Sequence, residues 1–87
     1  MFDQLRRAVV SVEANIVEGY ALGTTPQLRR HLKIALGSAA EAECLLRTSH
    51  ELDCLPADEA KNLLKTSAAL LKVLYGFWRR SCSTSAP

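Results

Sequence analysis

The stretch from residue 26 to residue 46, PQLRRHLKIALGSAAEAECLL, constrains the fold more than any other part of the chain. After its leading proline it carries no helix breaker except Gly37, and apolar or small residues recur at helical spacing on more than one side. A helix with one face in water needs a single apolar stripe, so this one calls for partners on at least two sides. One stripe runs through Leu28, Leu32, Ala35, Leu36, Ala39, Ala42 and Leu46. A second, roughly opposite, runs through Ile34, Ser38, Leu45 and Leu52. Glycine inside a helix costs about 1 kcal/mol relative to alanine, so Gly37, within the small run Gly37-Ser38-Ala39-Ala40, predicts a close neighbouring backbone. The second side is expected to be an oligomer interface made by Ile34, Gly37, Ser38, Glu41 and Leu45.

The rest of the chain supplies two more helices. Over residues 3–21, Phe2, Leu5, Val9, Val12, Ile16 and Tyr20 recur at intervals of three and four, the period of one helix face. Opposite lies a polar stripe of Gln4, Arg7, Ser11, Asn15 and Glu18, which is either a solvated face or a satisfied seam against another helix. Gly23 is placed to end this helix in a left-handed conformation. Thr25 as N-cap and Pro26 at the first helical position restart the chain, and the second helix is expected over 26–52. Leu55-Pro56 breaks it, and Asp58 and Glu59 suit the N-terminus of a third helix over 57–80. Its stripe is Ala60, Leu63, Leu64, Ser67, Leu70, Leu71, Leu74, Phe77 and Trp78. Residues 81–87 have no periodicity and are expected to be a disordered tail. Residues 1–80 then form one all-α domain, an up-and-down antiparallel bundle, because both connections are short.

A chain of 87 residues has little core to rely on, so close helix packing or oligomerisation must make up the difference. The three cysteines, Cys44, Cys54 and Cys82, form no CxxC pair, and no signal peptide or membrane-length apolar run is present. The expected setting is the cytoplasm, with free thiols and no membrane. Net charge is only +2, yet antiparallel packing segregates it. One end gathers Arg29, Arg30, His31, Lys33, Arg79 and Arg80 with Glu18 as the nearby carboxylate. The other end mixes Asp3, Glu51, Asp53, Asp58 and Glu59 with Arg6, Arg7, Arg47 and Lys61. Arg29 and Arg30 in the first turn of a helix oppose its dipole, which fits either solvated surface arginine, the commoner case, or use; Arg29, Arg30, Lys33, Arg79 and Arg80 are the candidate nucleic-acid contacts.

Catalytic chemistry is not written in the chain. His31 and His50 lack a carboxylate three residues before them, where helical metal sites place one; Leu28 and Arg47 stand there instead. Glu41 and Glu43 point to nearly opposite sides of their helix, and Arg47 is set to bridge Glu43. No metal, no cofactor and no enzymatic activity are expected.

Two blocks carry a resemblance. The first is Gln4-Leu5-Arg6-Arg7-Ala8 with Val10-Ser11, Asn15-Ile16 and Glu18-Gly19-Tyr20; the second is Leu32-Lys33-Ile34-Ala35-Leu36-Gly37-Ser38 with Glu41 and Glu43. Together they resemble the bacterial four-helix bundle proteins related to the protein encoded in the 23S rRNA intervening sequence, whose relatives include accessory variability proteins of diversity-generating retroelements. The resemblance is close over the first half of the chain and extends to the third helix in pattern only. It implies a homopentameric four-helix bundle without enzymatic activity and, in the retroelement branch, a basic surface that contacts nucleic acid and a reverse transcriptase. Two departures stand out. The family has Ile-Pro-Ser where this chain has Val12-Glu13-Ala14, and it has a further helix upstream of the first block. The expectation is therefore a three-helix chain that corresponds to the bundle without its first helix. It would act as a homo-oligomeric scaffold that binds RNA or DNA through the basic end, or as a pure protein–protein module such as a reverse-transcriptase accessory subunit.

Overall fold

The computed structural model describes residues 2–83. It holds three α-helices and, among the described residues, no strand: α1 spans Phe2–Leu22, α2 Thr25–Glu51 and α3 Ala57–Ser83. Gly23 takes φ +73°, the left-handed conformation expected of it. The cap of α2 sits one residue earlier than the Thr-Pro signal suggests. Thr24 has extended backbone, and its hydroxyl accepts a 3.4 Å hydrogen bond from the Gln27 amide; Thr25 is already helical. At the far end of α2, Asp53 enters the left-handed region at φ 56°. The Asp53 and Cys54 amides donate to the His50 and Ser49 carbonyls, satisfying acceptors that a helix end leaves open.

The third helix runs further than expected, because Ser81 is buried and its hydroxyl donates to the Trp78 carbonyl at 2.6 Å. The disorder expected from residue 81 onward therefore does not hold for 81–83. Residues 84–87 lie outside the described residues.

α2 is the spine. It packs against α1 on one flank and α3 on the other, while α1 and α3 do not approach each other. Serial contacts run in opposite directions along α1 and α2: Gly19 lies against Leu28 and His31, Asn15 against His31, and Ser11 against Ser38. The core centres on Val12, Leu32, Ala35, Ala39 and Leu74, with Ile16, Leu28, Leu36, Leu71 and Trp78 packed around it. The result is long and flat, 50 × 21 × 13 Å with a radius of gyration of 14.5 Å. A compact domain of this length would have a radius of roughly 12 Å.

This arrangement gives the two-sidedness of α2 a source within the chain. Ser38, expected to meet another subunit, is half-buried and hydrogen-bonded through Oγ to Ser11 Oγ at 2.8 Å. Gly37 is open, with nothing within 4 Å of where a Cβ would stand, so among the described residues no backbone approaches it closely. Ile34 and Glu41 are exposed on the outer side of α2, and Leu45 is half-buried. Within the chain a close approach occurs at Gly19, where a Cβ would sit 3.1 Å from His31 Cβ and 3.2 Å from a Leu28 methyl.

The polar stripe of α1 is divided: Ser11 and Asn15 form a half-buried seam against α2, whereas Gln4, Arg7 and Glu18 are exposed. His31, its side chain 13% exposed, donates from Nδ1 to Asn15 Oδ1 at 2.9 Å. Asn15 Nδ2 donates in turn to the Ser11 carbonyl at 2.7 Å. The chain of hydrogen bonds continues through Ser11 to Ser38. Buried polar groups are tolerable only when satisfied in this way.

Candidate nucleic-acid interface

The basic end is built by the first two turns of α2 and the last turns of α3, brought level by antiparallel packing. Arg29, Arg30 and Lys33 line an open hollow of about 410 Å³ together with Pro26 and Trp78. On the outer side of α3, Lys72, Arg79 and Arg80 line a second, with Val73 and Gly76, of about 430 Å³. The structure thus divides the five predicted cations into two neighbouring groups on either side of the end of α3. Arg29 is half-buried; Arg30, Lys33, Arg79 and Arg80 are exposed.

Aromatic rings are interleaved with these charges. The Arg80 guanidinium lies 4.9 Å from the Phe77 ring centre and the Arg79 guanidinium 5.9 Å from that of Tyr75. Tyr75 and Trp78 have ring centres 5.9 Å apart with planes inclined by 36°. Cations held over or beside rings are a suitable surface for phosphates and bases together. α2 has no acidic residue in its first turn, so its N-terminal dipole adds to the positive field there.

Lys72 and Tyr75 were not singled out from sequence, and Phe77 and Trp78 figured there only in the apolar stripe of α3. Lys72 stands one heptad before Arg79, a spacing that signals a shared face. Trp78 belongs to both worlds: it packs on the core and also walls the Arg29 hollow. His31, grouped with the basic end by sequence, is turned inward; besides Asn15 it lies 3.8 Å from Glu18 Oε2. Glu43 is rim-placed and bridged by Arg47 at 3.0 Å, as the spacing predicts.

A second surface runs beside this one. Between α1 and α3, over the small residues Ala39 and Ala42 of α2, lies an apolar groove of about 460 Å³. Leu5, Val9 and Ile16 form one wall and Leu63 and Leu70 the other. A separate, smaller hollow of about 210 Å³ lies between Tyr20, Leu32 and Phe77 at the basic end. Among the described residues, no group of three His, Cys, Asp or Glu side chains is placed to hold a metal ion, and no helix is long and apolar enough to cross a membrane.

No curated protein and no solved structure shows significant similarity to the chain. The sequence profile of a family described as 23S rRNA-intervening sequence protein matches residues 1–76, which takes in α1, α2 and most of α3. With that match spanning nearly its whole length, the chain belongs to the 23S rRNA-intervening sequence protein family.

Proposed function

We propose that this protein is a non-enzymatic, homo-oligomeric helical-bundle scaffold that binds RNA or DNA through its basic end. The observation that carries the reading is the grouping of Arg29, Arg30 and Lys33 around Trp78, beside Lys72, Arg79 and Arg80 on α3. Exposed cations next to stackable rings favour a polyanion with planar bases over an acidic protein surface. Binding of this kind is largely independent of sequence and falls steeply with salt. An electrophoretic mobility shift with a mixed-sequence RNA and DNA tests it. Arg29→Glu combined with Arg30→Glu abolishes the shift at moderate salt; an unchanged shift refutes the assignment.

A second reading has its own support. The apolar groove between α1 and α3 suits a helix from a protein partner. On that reading the chain is a protein–protein module, such as a polymerase accessory subunit, and shows no nucleic-acid shift at physiological salt. Both readings share a helical bundle completed by a further helix.

A further inference from the structure

The cations of α3 form a row that the basic end includes only in part. After Asp58 and Glu59 in its first turn, α3 holds no acidic residue, yet it carries Lys61, Lys65, Lys72, Arg79 and Arg80. Lys65, Lys72 and Arg79 are spaced by sevens, and Lys61 stands one turn before Lys65. Seven residues make almost two full turns, so these four share one narrow arc of the helix. All four are exposed, and Leu74, opposite them, is buried. Among the described residues, no carboxylate pairs with Lys61, Lys65 or Lys72. Lys61 and Lys65 also repel each other, as like charges one turn apart do. The residues between them on this face are small, Ala68, Ala69 and Gly76, so no large apolar side chain interrupts the row. The hollow lined by Lys72, Val73, Gly76, Arg79 and Arg80 joins the row to the basic end.

We propose that this outer face of α3 is a track for the phosphates of a single strand of RNA or DNA, which leaves the basic end and runs over Lys72 and Lys65 to Lys61. The composition of the face selects this occupant. A partner helix buries apolar side chains, and a membrane surface takes them up; the row offers neither of them any. What it offers is charge, repeated over about 27 Å, the length of 18 helical residues. That suits a polyanion held through its phosphates. A duplex winds its phosphates round its axis once in about 34 Å, so a straight row of this length meets each backbone at few points. A flexible single strand can follow the row from end to end. The inference rests on the nucleic-acid binding proposed above and adds Lys61 and Lys65, which lie outside the basic end.

Fluorescence anisotropy titrations of the full chain at several salt concentrations test the track. Each phosphate met on a single strand contributes about 0.7 to the slope of log K against log salt. Lys61→Gln with Lys65→Gln should therefore lower that slope by about 1.4 on an oligothymidylate of about 20 nucleotides. The same variant should bind a strand of about 5 nucleotides, which the basic end alone accommodates, as wild type does. On a duplex of about 20 base pairs the change in slope should be less than half as large. Arg6→Gln with Arg7→Gln removes the same charge from α1 and should leave the slope as in wild type. These positions are exposed, and circular dichroism confirms that the variants fold. A slope unchanged by the α3 pair, while Arg29→Glu with Arg30→Glu still abolishes binding, would overturn the track and leave the basic end standing. A slope lowered by the α3 pair, with Arg29→Glu and Arg30→Glu silent, would support the track and refute the basic end. An equal loss in the α1 pair or on the short strand would reduce the effect to overall charge and overturn the proposal. So would an undiminished change on the duplex, or a loss of binding to anionic lipid vesicles in the α3 pair with no change on the single strand.

Discussion

His31 Nδ1 and Asn15 Oδ1 lie 2.9 Å apart between α1 and α2, and Asn15 passes the connection on to Ser11 and Ser38. In a protein whose core is largely alanine and leucine, this polar seam fixes how the two helices register. Replacing Asn15 by alanine removes the hydrogen-bond acceptor of a side chain only 13% exposed, leaving the Glu18 carboxylate, at 3.8 Å, beyond hydrogen-bond distance. The expected loss is about 1–3 kcal/mol, the cost of a buried donor without its acceptor. Urea denaturation of Asn15→Ala against wild type measures it, and a change within a few tenths of a kcal/mol would show that the seam tolerates its own removal.

The glycines divide into those that make room and those that do not. At Gly19 a methyl group would stand 3.1 Å from His31 Cβ and 3.2 Å from a Leu28 methyl. His31 is tied to Asn15 and cannot yield freely, so Gly19→Ala loses stability despite alanine's better helix propensity. At Gly37 nothing lies within 4 Å. There Gly37→Ala gains about 0.5–1 kcal/mol from propensity alone. Opposite signs for the two substitutions in one denaturation series are the outcome to look for. A loss at Gly37 would show that another subunit approaches α2 closely there.

The start of α2 offers a test of its cap. Thr24 is the capping residue, with its hydroxyl 3.4 Å from the Gln27 amide. That bond is long, so Thr24→Ala should cost toward the low end of the usual range, about 0.5–1 kcal/mol. Thr25→Ala, inside the helix, should be neutral or slightly stabilising. Thermal melts of the two variants distinguish them directly, and a larger loss at Thr25 would move the cap to that residue.

Helix order and direction were legible in the chain because apolar residues recur with one period and the breaks carry Gly23, Pro26 and Pro56. The cap slipped by one residue because Thr24 and Thr25 are chemically identical candidates. The end of α3 was hidden because Ser81 looks like tail, whereas its burial and its hydrogen bond to the Trp78 carbonyl tie it to the helix. The candidate cations were legible individually. Their division around the end of α3 was not, since it depends on how far each lies around its helix. α3 concealed most. Ala60 through Trp78 reads as one broad stripe until α2 is seen to cover only part of it, leaving Leu63, Leu70 and Phe77 exposed. The two-sided character of α2 was visible from the start, but periodicity cannot say whether the second partner belongs to the same chain. Ser38 against Ser11 shows that part of it does.

The basic end makes the last prediction quantitative. Arg30 and Lys33 are exposed on α2 and share a hollow with Trp78. If both lie against phosphates, each neutralised phosphate releases condensed counterions, and each residue contributes about one unit to the slope of log K against log salt. Arg30→Gln with Lys33→Gln should therefore reduce that slope by about two, with little dependence on the sequence of the nucleic acid. Trp78→Phe keeps an apolar body in the core position while reducing the ring available to a base. It should weaken binding to single strands and leave the salt slope in place, since stacking carries no counterion release. Fluorescence anisotropy titrations at several salt concentrations read both quantities. An unchanged slope in the double variant would place the phosphates elsewhere on the molecule. A slope altered by Trp78→Phe would mean that the ring positions the cations and is not itself a stacking surface.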